Sequence, residues 1–555
     1  MIGIKIRGGF LVTNSSTAIS FELVSTIFLG DGESFTPGSY SFPFDLPLEE
    51  NRITLGLPEV IGNAEPLLSK EPCEVYFDNM RLPLEGLGSI SEVSGGVIKF
   101  YITIQALEPL KDVKLADLDL GGARDLGVTV PTRLMAAKAT ATGPSSFDFA
   151  FFPVQNLRFW EGAETPPSHP SRNIQNFFDS DTEAFISNAT QGTVTPFVRL
   201  DYLLAKIFEH SGLSFTNSFQ TVDELRQLYL YNSTNAFVGE FPRFINLLNH
   251  VPADVKATDL LRYVQRMFCL GIVKEPFDPD YELVPLGDLL AQAPTHDWTD
   301  RLLANPTKSQ TTNRIGGFIQ LNDGFEAPDG ATNITLPPFT VAGTVDTYYD
   351  TIPLTVPGYY YVRALDCYYL LTDTYSALYF PQSQYIHDPD DDSRLNLDLG
   401  AANTTQVSMV QLDGDIRGGT MPFVALPGGS TLKPAKYPLL LMAYRGVYDL
   451  HSPPGKLPLA SRAPYDMDGN VIGDYSLGWD GPLGIYAKWW KNWHQFLYNR
   501  TEVTARLTLT LPDILNFRFK HIIRIQNMNY FVKSLRVNFT QRGLEPVEAK
   551  LVSIV

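Results

Sequence analysis

The densest group of side chains that could bind a ligand is the acidic run His387-Asp388-Pro389-Asp390-Asp391-Asp392. Carboxylate and carbonyl oxygens of flexible loops are the ligands that Ca²⁺ prefers. The same residues also favour a solvated turn, because proline and adjacent aspartates are typical of turns. No second carboxylate group lies at a fixed spacing from the run, so we favour the turn over a calcium site.

A second stretch, YDMDGN, resembles the start of a calcium loop. Asp466, Asp468 and Asn470 would be its first, third and fifth ligands. The sixth position holds Val471 where glycine is needed, and the twelfth holds Leu477 where a bidentate glutamate is needed. The sequence therefore predicts a hairpin turn here.

The remaining side chains show no spacing that is typical of catalysis. Neither a phosphate-binding glycine motif nor a zinc-protease or serine-hydrolase motif is present. The eight histidines include no pair three or four residues apart. We predict no catalytic residue, no metal ligand and no cofactor-binding residue, and we expect the protein not to be an enzyme.

Five tyrosines form the strongest candidate for a sugar-binding surface: Tyr359, Tyr360, Tyr361, Tyr368 and Tyr369. Aromatic faces stack on pyranose rings. In a β-strand, however, successive side chains point to opposite faces, which would divide the set between core and surface. We favour core packing.

The cysteines and the N-terminus indicate a protein that folds in the cytoplasm. Cys73, Cys269 and Cys367 are far apart and odd in number, which argues against disulfides or structural zinc and favours buried thiols. Lys5 and Arg7 interrupt the N-terminal apolar residues, so we expect no signal peptide. No window has 18 uninterrupted apolar residues, so we expect no membrane span.

Composition indicates a β-rich chain with many turns. Of 555 residues, 44% are hydrophobic, 12% are aromatic and only 19% are charged, with 42 glycines and 40 prolines. These values exclude a disordered chain, a collagen, a coiled coil and a helical solenoid. The net charge of −18 repels phosphate, so tight nucleic-acid binding is not expected.

Residues 1–106 are predicted to form an N-terminal β domain. In Val97–Gln105, apolar side chains alternate with mixed ones, as in a half-buried antiparallel strand. The apolar face comprises Ile98, Phe100, Ile102 and Ile104. Further strands are predicted at Val24–Leu29, Glu74–Phe77 and Leu82–Ile90, with a turn at Asp78-Asn79. The sequence leaves open whether these strands close into a small barrel.

Residues 107–195 are predicted to be an irregular, extended segment with short strands and an early helix. Six aromatic rings lie close together in it: Phe147, Phe149, Phe151, Phe152, Phe159 and Trp160. A monomer would not easily cover so many rings in loops. We therefore expect this segment at a subunit interface, in a symmetric ring that is most simply a trimer.

Residues 196–305 are predicted to be a helical and mixed domain. In 201–212, Leu203, Leu204, Ile207 and Phe208 form one apolar stripe that ends at Gly212. A helix over 257–271 is predicted to begin with Thr258 as its N-cap, to end at Gly271, and to bury a stripe consisting of Leu260, Leu261, Val264, Met267 and Phe268. A short helix or a strand and turn is predicted for 222–232.

The rest of the chain is predicted as an inserted β-sandwich at 306–450, a linker at 451–479 and a C-terminal unit at 480–555. Short strands at regular spacing, separated by turns, favour the sandwich. In the C-terminal unit we expect a strand at 504–511, a helical turn beginning at Pro512, and a hairpin over 520–539 that turns at Asn527-Met528-Asn529.

An aromatic helix over 484–498 is predicted to cap the C-terminal strands. Trp489, Trp493 and Phe496 lie four and three residues apart and so share one face. This face should contact Leu507, Leu509, Ile523, Ile525, Phe531, Leu535 and Val537. The alternative, an exposed platform for sugars, would leave a large apolar patch, so burial is favoured.

Four stretches resemble tail-tip or baseplate hub-like structural proteins of phages and prophages of Bacteroidetes-type bacteria. The main one lies in 480–555: GIYAKWWKNWHQFLYNRTEVTARLTLTLPDILNFRFKHIIRIQNMNYFVKSLRVN. The others are SFPFDLPLEENRITLGLP (41–58), VPADVKATDLLRYVQRMFCLGIVKEP (251–276) and LGDLLAQAPTHDWTDRL (286–302). The resemblance is poor over 107–195 and 306–475.

The resemblance implies an α+β, mostly β, multidomain protein with small barrel-like hub domains, a short helical layer and the inserted sandwich. It implies a non-enzymatic virion protein that closes or caps the tail tube and organises host attachment and genome ejection. Its implied partners are copies of itself in a trimer, other baseplate proteins and the tail tube, with DNA passing unbound. A receptor- or glycan-binding tail protein that uses the sandwich is the alternative. Assembly would take place in the host cytoplasm.

Overall fold

The computed structural model describes most of the chain outside 309–440. The described ranges are 2–14, 17–28, 39–58, 70–84, 86–104, 108–155, 174–179, 182–185, 193–216, 222–232, 237–238, 241–278, 280–308, the strands within 318–425 named below, 441–451, 454–461, 464, 471–478 and 482–554. Side chains of those strands within 318–425 lie outside the description. The acidic run 387–392 and the YDMDGN stretch also lie outside the described residues.

Strands predominate over helices, as expected for an α+β, mostly β chain. The helices are Leu48–Asn51, Val130–Thr142, Leu200–His210, Asp223–Arg226, Ala257–Phe268, Leu286–Leu289, Lys491–Asn499 and Leu511–Asn516. A π-helical turn, Tyr486–Trp490, precedes Lys491–Asn499. None of the helices in the described ranges is long and apolar enough to cross a bilayer.

The largest sheet unites both ends of the chain, and within the described residues it has sixteen strands. Its central path runs through Gly9–Leu11, Ile2–Ile6, Glu71–Phe77, Gly86–Ser94, Val97–Ile104, Ser39–Ser41, Ala18–Val24, Met528–Thr540, Val547–Ile554, Glu502–Leu507 and Thr307–Lys308. The strands beside this path are Phe44–Pro47, Met80–Arg81, His296–Asp297, Ile523–Ile525 and Gly543–Leu544. The path is open at both ends, so the described strands form no closed barrel, a point that the sequence left open.

The long strand Met528–Thr540 connects the two ends of the chain. It pairs antiparallel with Ala18–Val24, with Phe21 opposite Val537. It also pairs with Val547–Ile554, with a bulge between Val532 and Ser534. A bulge inserts one residue and shifts which side chains face each side of a sheet. Side chains on both faces of this strand, such as those of Phe531 and Val532, are buried.

The first core, here called the sheet core, lies on one face of the large sheet. The predicted strand is observed as Val97–Ile104, and the side chains of Ile98, Phe100, Ile102 and Ile104 are buried there, which confirms the alternation. The sheet core also contains Phe21, Leu23, Leu507, Leu535, Val537 and Leu551. Residues from both ends of the chain thus share one apolar interior.

The second core, here called the central core, is built around helices Leu200–His210 and Ala257–Phe268. The predicted apolar stripes of both helices are fully buried, which confirms the 3.6-residue periodicity. The predicted ends of the second helix are wrong. Lys256, not Thr258, is the N-cap, and the left-handed Cys269 (φ 49°) is the C-cap, not Gly271. Gly271 continues into the strand Leu270–Lys274.

Two tight turns show how the local backbone conformation of a few residues determines where a hairpin turns. Asp78 and Asn79 have φ values of 49° and 63°, and the hairpin they close confirms the predicted turn. The later hairpin turns at Gln526-Asn527, with φ of 48° and 63°, one residue before the predicted position. Both turns are two-residue loops with positive φ, the type that matches strand twist.

Some strand boundaries differ from the predictions. The predicted strand at 24–29 is wrong for its described residues, because the observed strand Ala18–Val24 ends where the predicted one begins. The predicted strand at 82–90 is observed as Gly86–Ser94. The predicted strand at 504–511 is observed as Glu502–Leu507. The helical turn Leu511–Asn516 is confirmed, with Thr510 as its N-cap and Pro512 in its first turn.

Smaller sheets surround the central core. One comprises Phe149–Ala150, Phe197–Arg199, Leu228–Leu230, Leu441–His451 and Pro454–Ser461. A second comprises Phe237–Val238, Thr193–Val194, Ile174–Gln175, Val154–Gln155, Thr420–Ala425 and Gln406–Gln411. A third comprises Phe215–Thr216, Tyr281–Pro285 and Leu270–Lys274. Two strand pairs are Ala123–Asp125 with Phe244–Asn246, and Phe178–Asp179 with Ala184–Phe185.

The predicted insert contains a sheet of its own. It comprises Thr351–Pro353, Tyr359–Val362, Cys367–Leu371, Ser376–Ile386, Phe318–Asn322, Arg394–Leu397 and Thr332–Leu336. At the edges of the predicted range, Thr307–Lys308 pairs with Glu502–Leu507, and Leu441–His451 pairs with Leu228–Leu230. Within the range, Thr420–Ala425 pairs with Val154–Gln155. The domain boundaries remain predictions.

Candidate functional site

The aromatic segment 484–498 is the most distinctive feature of the C-terminal unit. It starts as a π turn, in which the backbone N–H of Lys491 donates to the carbonyl oxygen of Tyr486. A π turn contains one residue more than an α turn and changes which side chains share a face. Trp490 and Trp493 are therefore fully buried, whereas Trp489, predicted for that face, is only half-buried.

Trp493 lies between helix and sheet in the central core. Its ring centroid is 4.8 Å from that of Phe496, 6.2 Å from Phe531 and 6.3 Å from Phe28. The indole N–H of Trp490 donates to the backbone carbonyl of Arg266 at 2.9 Å. These contacts confirm the burial that was predicted and exclude Trp490 and Trp493 from an exposed sugar platform.

The predicted strand contacts of this helix are mostly wrong. Phe531 packs against Trp493 and Phe496 and belongs to the central core. Its neighbour on the next strand, Val552, lies in the same core. The other predicted contacts, Leu507, Leu509, Ile523, Ile525, Leu535 and Val537, belong to the sheet core. They lie on the opposite face of the sheet because successive strand residues alternate.

Three of the six aromatic rings predicted at an interface in 107–195 are covered by the chain itself. Phe149, Phe151 and Phe152 are buried in the central core. Phe151 packs edge-on against Phe241 at 5.4 Å, and Phe152 against Tyr229 at 5.0 Å. Phe147 is half-buried. The burial of three of the six rings within one chain weakens the argument for a subunit interface, which stays a prediction. Phe159 and Trp160 lie outside the described residues.

Titratable side chains meet where the segment after Ala257–Phe268 contacts the C-terminal unit. Glu275 is 5% exposed, and its two carboxylate oxygens accept the backbone N–H groups of Phe519 and Lys520 at 2.8 and 3.2 Å. Burial raises the pKa of Glu275 to about 7, although the two N–H donors oppose this. Sequence inspection missed this residue because no motif marks it.

Two histidines also converge at this contact. The rings of His296 and His521 lie 6.4 Å apart, beside Phe517 and Trp298. Burial lowers the pKa of His521, and the nearby Lys520 and His296 lower it further. In the described part of the chain, no three His, Cys, Asp or Glu residues group closely enough to hold a metal.

Among the described residues, the other candidate side chains form no arrangement that is typical of catalysis. Cys73 and Cys269 are buried free thiols, as predicted, and burial raises the pKa of Cys73 to about 12. Cys367 and the five tyrosines lie on described strands whose side chains are outside the description. Tyr360 stands opposite Tyr369 in that sheet.

One shallow cleft of about 350 Å³ lies at the edge of the large sheet. It is lined by Ala304, Asn305, Thr307, Lys308, Thr504, Arg506 and Glu548. These side chains are exposed or half-buried. The cleft does not resemble an enclosed active site.

Comparison with known proteins finds solved structures of low TM-score and low sequence identity. No family model and no curated protein matches the chain. The 43 kDa tail protein of prophage MuSo2 from Shewanella oneidensis has a TM-score of 0.35 at 8% identity, covering 100% of this chain and 97% of that chain. A tail protein from Neisseria meningitidis MC58 has a TM-score of 0.32 at 9% identity, covering 99% and 95%. Prophage tail protein gp18 from Listeria monocytogenes EGD-e has a TM-score of 0.32 at 8% identity, covering 99% and 94%.

Proposed function

We propose that this chain is a non-enzymatic structural protein of a phage-type tail. Its role would be that of a tail-tip or baseplate hub, which closes or caps the tail tube and organises the host-attachment apparatus. Its location would be the virion, after assembly in the host cytoplasm. Its partners would be other tail proteins and the tail tube, with DNA passing through unbound.

The observation that carries the proposal is the convergence of the four stretches that resemble hub proteins. The stretch 251–276 meets 480–555 through the hydrogen bond from Trp490 to Arg266 and through the carboxylate of Glu275. The stretch 286–302 meets it where the backbone N–H of Trp298 donates to Arg524 at 2.9 Å. Widely separated segments thus form a single body.

The fourth stretch, 41–58, joins the same body through the sheet core. Phe44 and Leu46 lie in that core with Leu535 of the C-terminal unit. Phe44 also packs against Phe100 at 5.7 Å. Such a body is suited to a scaffold, because its aromatic and apolar residues serve packing and leave no enclosed reactive pocket among the described residues.

A receptor- or glycan-binding role is the second candidate. It is favoured by the sheet between 318 and 397, whose strands pair only with one another among the described residues. A separate sheet on a scaffold could present a recognition surface without disturbing the two cores. In this variant the body would still be a tail protein, with the sheet as the part that contacts the host surface.

A homotrimer remains part of the proposal through the resemblance alone. The burial of Phe149, Phe151 and Phe152 within one chain weakens the argument from exposed rings. Negative-stain imaging of the purified protein tests the oligomeric state: a ring or trimeric plug supports a hub, and a monomer that binds polysaccharide supports the second candidate.

The proposal is tested by locating the chain in particles. A small affinity tag after Val555 is labelled with gold in particles produced from the genome that encodes this chain, and the particles are imaged by negative stain. We expect label at one end of the tail in intact particles. A matched tag on a non-virion protein of the same genome gives the background. Particles that are complete but carry no label would contradict the proposal.

A further inference from the structure

The strand Gly9–Leu11 is an outer edge of the largest sheet among the described strands. It pairs on one side with Ile2–Ile6. In an antiparallel pair, successive residues direct their backbone N–H and C=O groups alternately toward the partner strand and away from it. Both groups of Val12, the residue after the strand, bond to the side chain of Asn51, so they point away from Ile2–Ile6. The same groups of Phe10, two residues earlier, therefore also point outward.

This edge has the composition of a segment that readily adds another strand. Residues 9–12 read Gly-Phe-Leu-Val, with no charge and no proline. The side chains of Phe10 and Val12 are 58% and 46% exposed, and the outward backbone groups of Phe10 have no hydrogen bond among the described residues. Proteins protect such edges with charges, prolines, bulges or a covering segment, because an open edge is a template for pairing with another chain. Protection of this edge therefore has to come from another part of the chain.

The side-chain amide of Asn51 occupies the backbone groups of Val12. The N–H of Val12 donates to Oδ1 at 2.8 Å, and Nδ2 donates to the carbonyl of Val12 at 3.0 Å. These two bonds are the ones that a residue of a further antiparallel strand would make with Val12. Nδ2 also donates to the carbonyl of Pro47 at 2.8 Å, and Asn51 is only 1% exposed. The amide thus stands where the next strand would begin.

Asn51 belongs to segment 48–58, which covers the edge at Val12. Of the residues in this segment, only Asn51 and Leu55 are buried. Leu55 lies in the sheet core, whereas Ile53 is 85% exposed. The segment is therefore held by one apolar side chain in the core and one amide on the edge. Loss of the amide would leave Val12 unpaired and the segment with a single buried side chain to anchor it.

We propose that Asn51 keeps this edge of the sheet from pairing with the same edge of a second copy of the chain. Two copies of residues 10–12 can pair antiparallel about a two-fold axis, with Phe10 of each copy opposite Val12 of the other. Both pairs of backbone hydrogen bonds then need the N–H and C=O groups of a Val12. Because the amide of Asn51 occupies these groups, it blocks both pairs at once.

Sedimentation velocity of the full chain at increasing protein concentration tests this role of Asn51. The wild type gives the reference mass. We expect Asn51→Ala, and Asn51→Leu with its similar side-chain volume, to at least double this mass as the concentration rises. Adding Val12→Pro to Asn51→Ala should restore the reference mass, because proline has no N–H for either pair and is tolerated at sheet edges.

Asn176 provides the matched control. It is also 1% exposed, and its amide also makes three hydrogen bonds. Nδ2 donates to the carbonyls of Phe152 and Thr195 at 2.9 and 2.7 Å, and Oδ1 accepts the N–H of Thr195 at 2.7 Å. Both partners are fully buried, so removal of this amide opens no exposed edge. Asn176→Ala should lower the melting temperature, as Asn51→Ala does, but keep the reference mass.

Several results would overturn the proposed role of Asn51. Asn51→Ala and Asn51→Leu proteins that keep the reference mass would show that the amide does not protect the edge. Equal association of Asn176→Ala would assign the effect to lost stability, and association that survives Val12→Pro would place the contact elsewhere.

Hydrogen exchange of the wild type decides the matter if neither Asn51 variant folds. We expect the N–H of Val12 to be protected and the N–H of Phe10 to exchange rapidly. Equally rapid exchange of both would show that the amide does not hold the edge. None of these results bears on the proposed tail function, which the particle-labelling experiment tests separately.

Discussion

The sheet core and the central core differ in how distant parts of the chain meet. The sheet core joins strands from the first 104 residues to strands after residue 502 through backbone pairing, with Leu23 opposite Leu535. The central core joins helices and short strands through side chains, such as Trp493 between Phe28 and Phe531. Pairing gives the first core its register, whereas shape complementarity gives the second core its fit.

The long strand Met528–Thr540 contributes side chains to both cores. Phe531 faces the central core, and its neighbour Val532 faces the sheet core. Side chains on either face of one strand therefore couple the two cores. We expect a substitution that destabilises one core to destabilise the other core as well, because both cores depend on the backbone hydrogen bonds of this strand.

The largest effect is expected for Trp493→Ala. The side chain is completely buried, and truncating a buried tryptophan costs ~3–5 kcal/mol of unfolding free energy. We expect a large fall in the melting temperature, or loss of particle assembly, without a specific loss of any catalytic rate. Lys491→Ala, at an exposed position of the same helix, should change stability by less than ~0.5 kcal/mol. A Trp493→Ala protein with unchanged melting temperature but lost polysaccharide binding would favour the glycan-binding role.

A pair of neighbouring substitutions separates the two cores. Phe531→Ala should cost about 3 kcal/mol and increase hydrogen exchange first in the helix Lys491–Asn499. Val532→Ala should cost about 2 kcal/mol and increase exchange first in Ala18–Val24. Identical exchange patterns for both variants would show that the cores do not differ in the way described.

Replacing glycines that lie very close to neighbouring side chains should have smaller effects on the stability of both cores. A Cβ on Gly88 would lie 2.4 Å from Cζ of Phe100 in the sheet core, and one on Gly271 would lie 2.7 Å from Cδ2 of Leu286 in the central core. Each change to alanine should cost ~1–3 kcal/mol by overpacking, measured by chemical denaturation. Gly143→Ala, whose Cβ would approach no atom closer than 3.6 Å, is the matched control. Equal stability of all three variants would contradict this packing.

The smallest effect is expected when the sheet of the insert is removed. Replacing 318–397 by a flexible linker should leave the melting temperature of the body unchanged, because these strands pair only with one another among the described residues. A longer deletion, 338–450, should lower it, since it removes Leu441–His451 beside Leu228–Leu230. A large loss of stability in the shorter deletion would place its strands in the body.

Local patterns predicted the elements of both cores but not their partners. The alternation in Val97–Ile104 and the stripe in Ala257–Phe268 depend on neighbours a few residues apart, which a sequence displays directly. The pairing of Ala18–Val24 with Met528–Thr540 depends on residues more than 500 positions apart. The same limit explains the rings of 149–152, which were assigned to a subunit interface because their covering residues are remote.

The prediction of the candidate sites was limited in the same way, because a sequence displays local patterns but not contacts between distant residues. The π turn at Tyr486–Trp490 has no simple sequence signature, so Trp489 was predicted on the buried face in place of Trp490. Glu275 has two backbone N–H groups as its partners, and backbone groups carry no residue identity. A glutamate directly after an apolar strand and next to a proline was the one available signal.

The central claim is that the two ends of the chain form one cooperative body. Hydrogen exchange of the wild type at increasing denaturant concentration, read in Ala18–Val24 and Met528–Thr540, tests it most directly. The account predicts that both strands lose protection at the same denaturant concentration and that Trp493→Ala shifts both together. Loss of protection in Ala18–Val24 while Met528–Thr540 stays protected would contradict it.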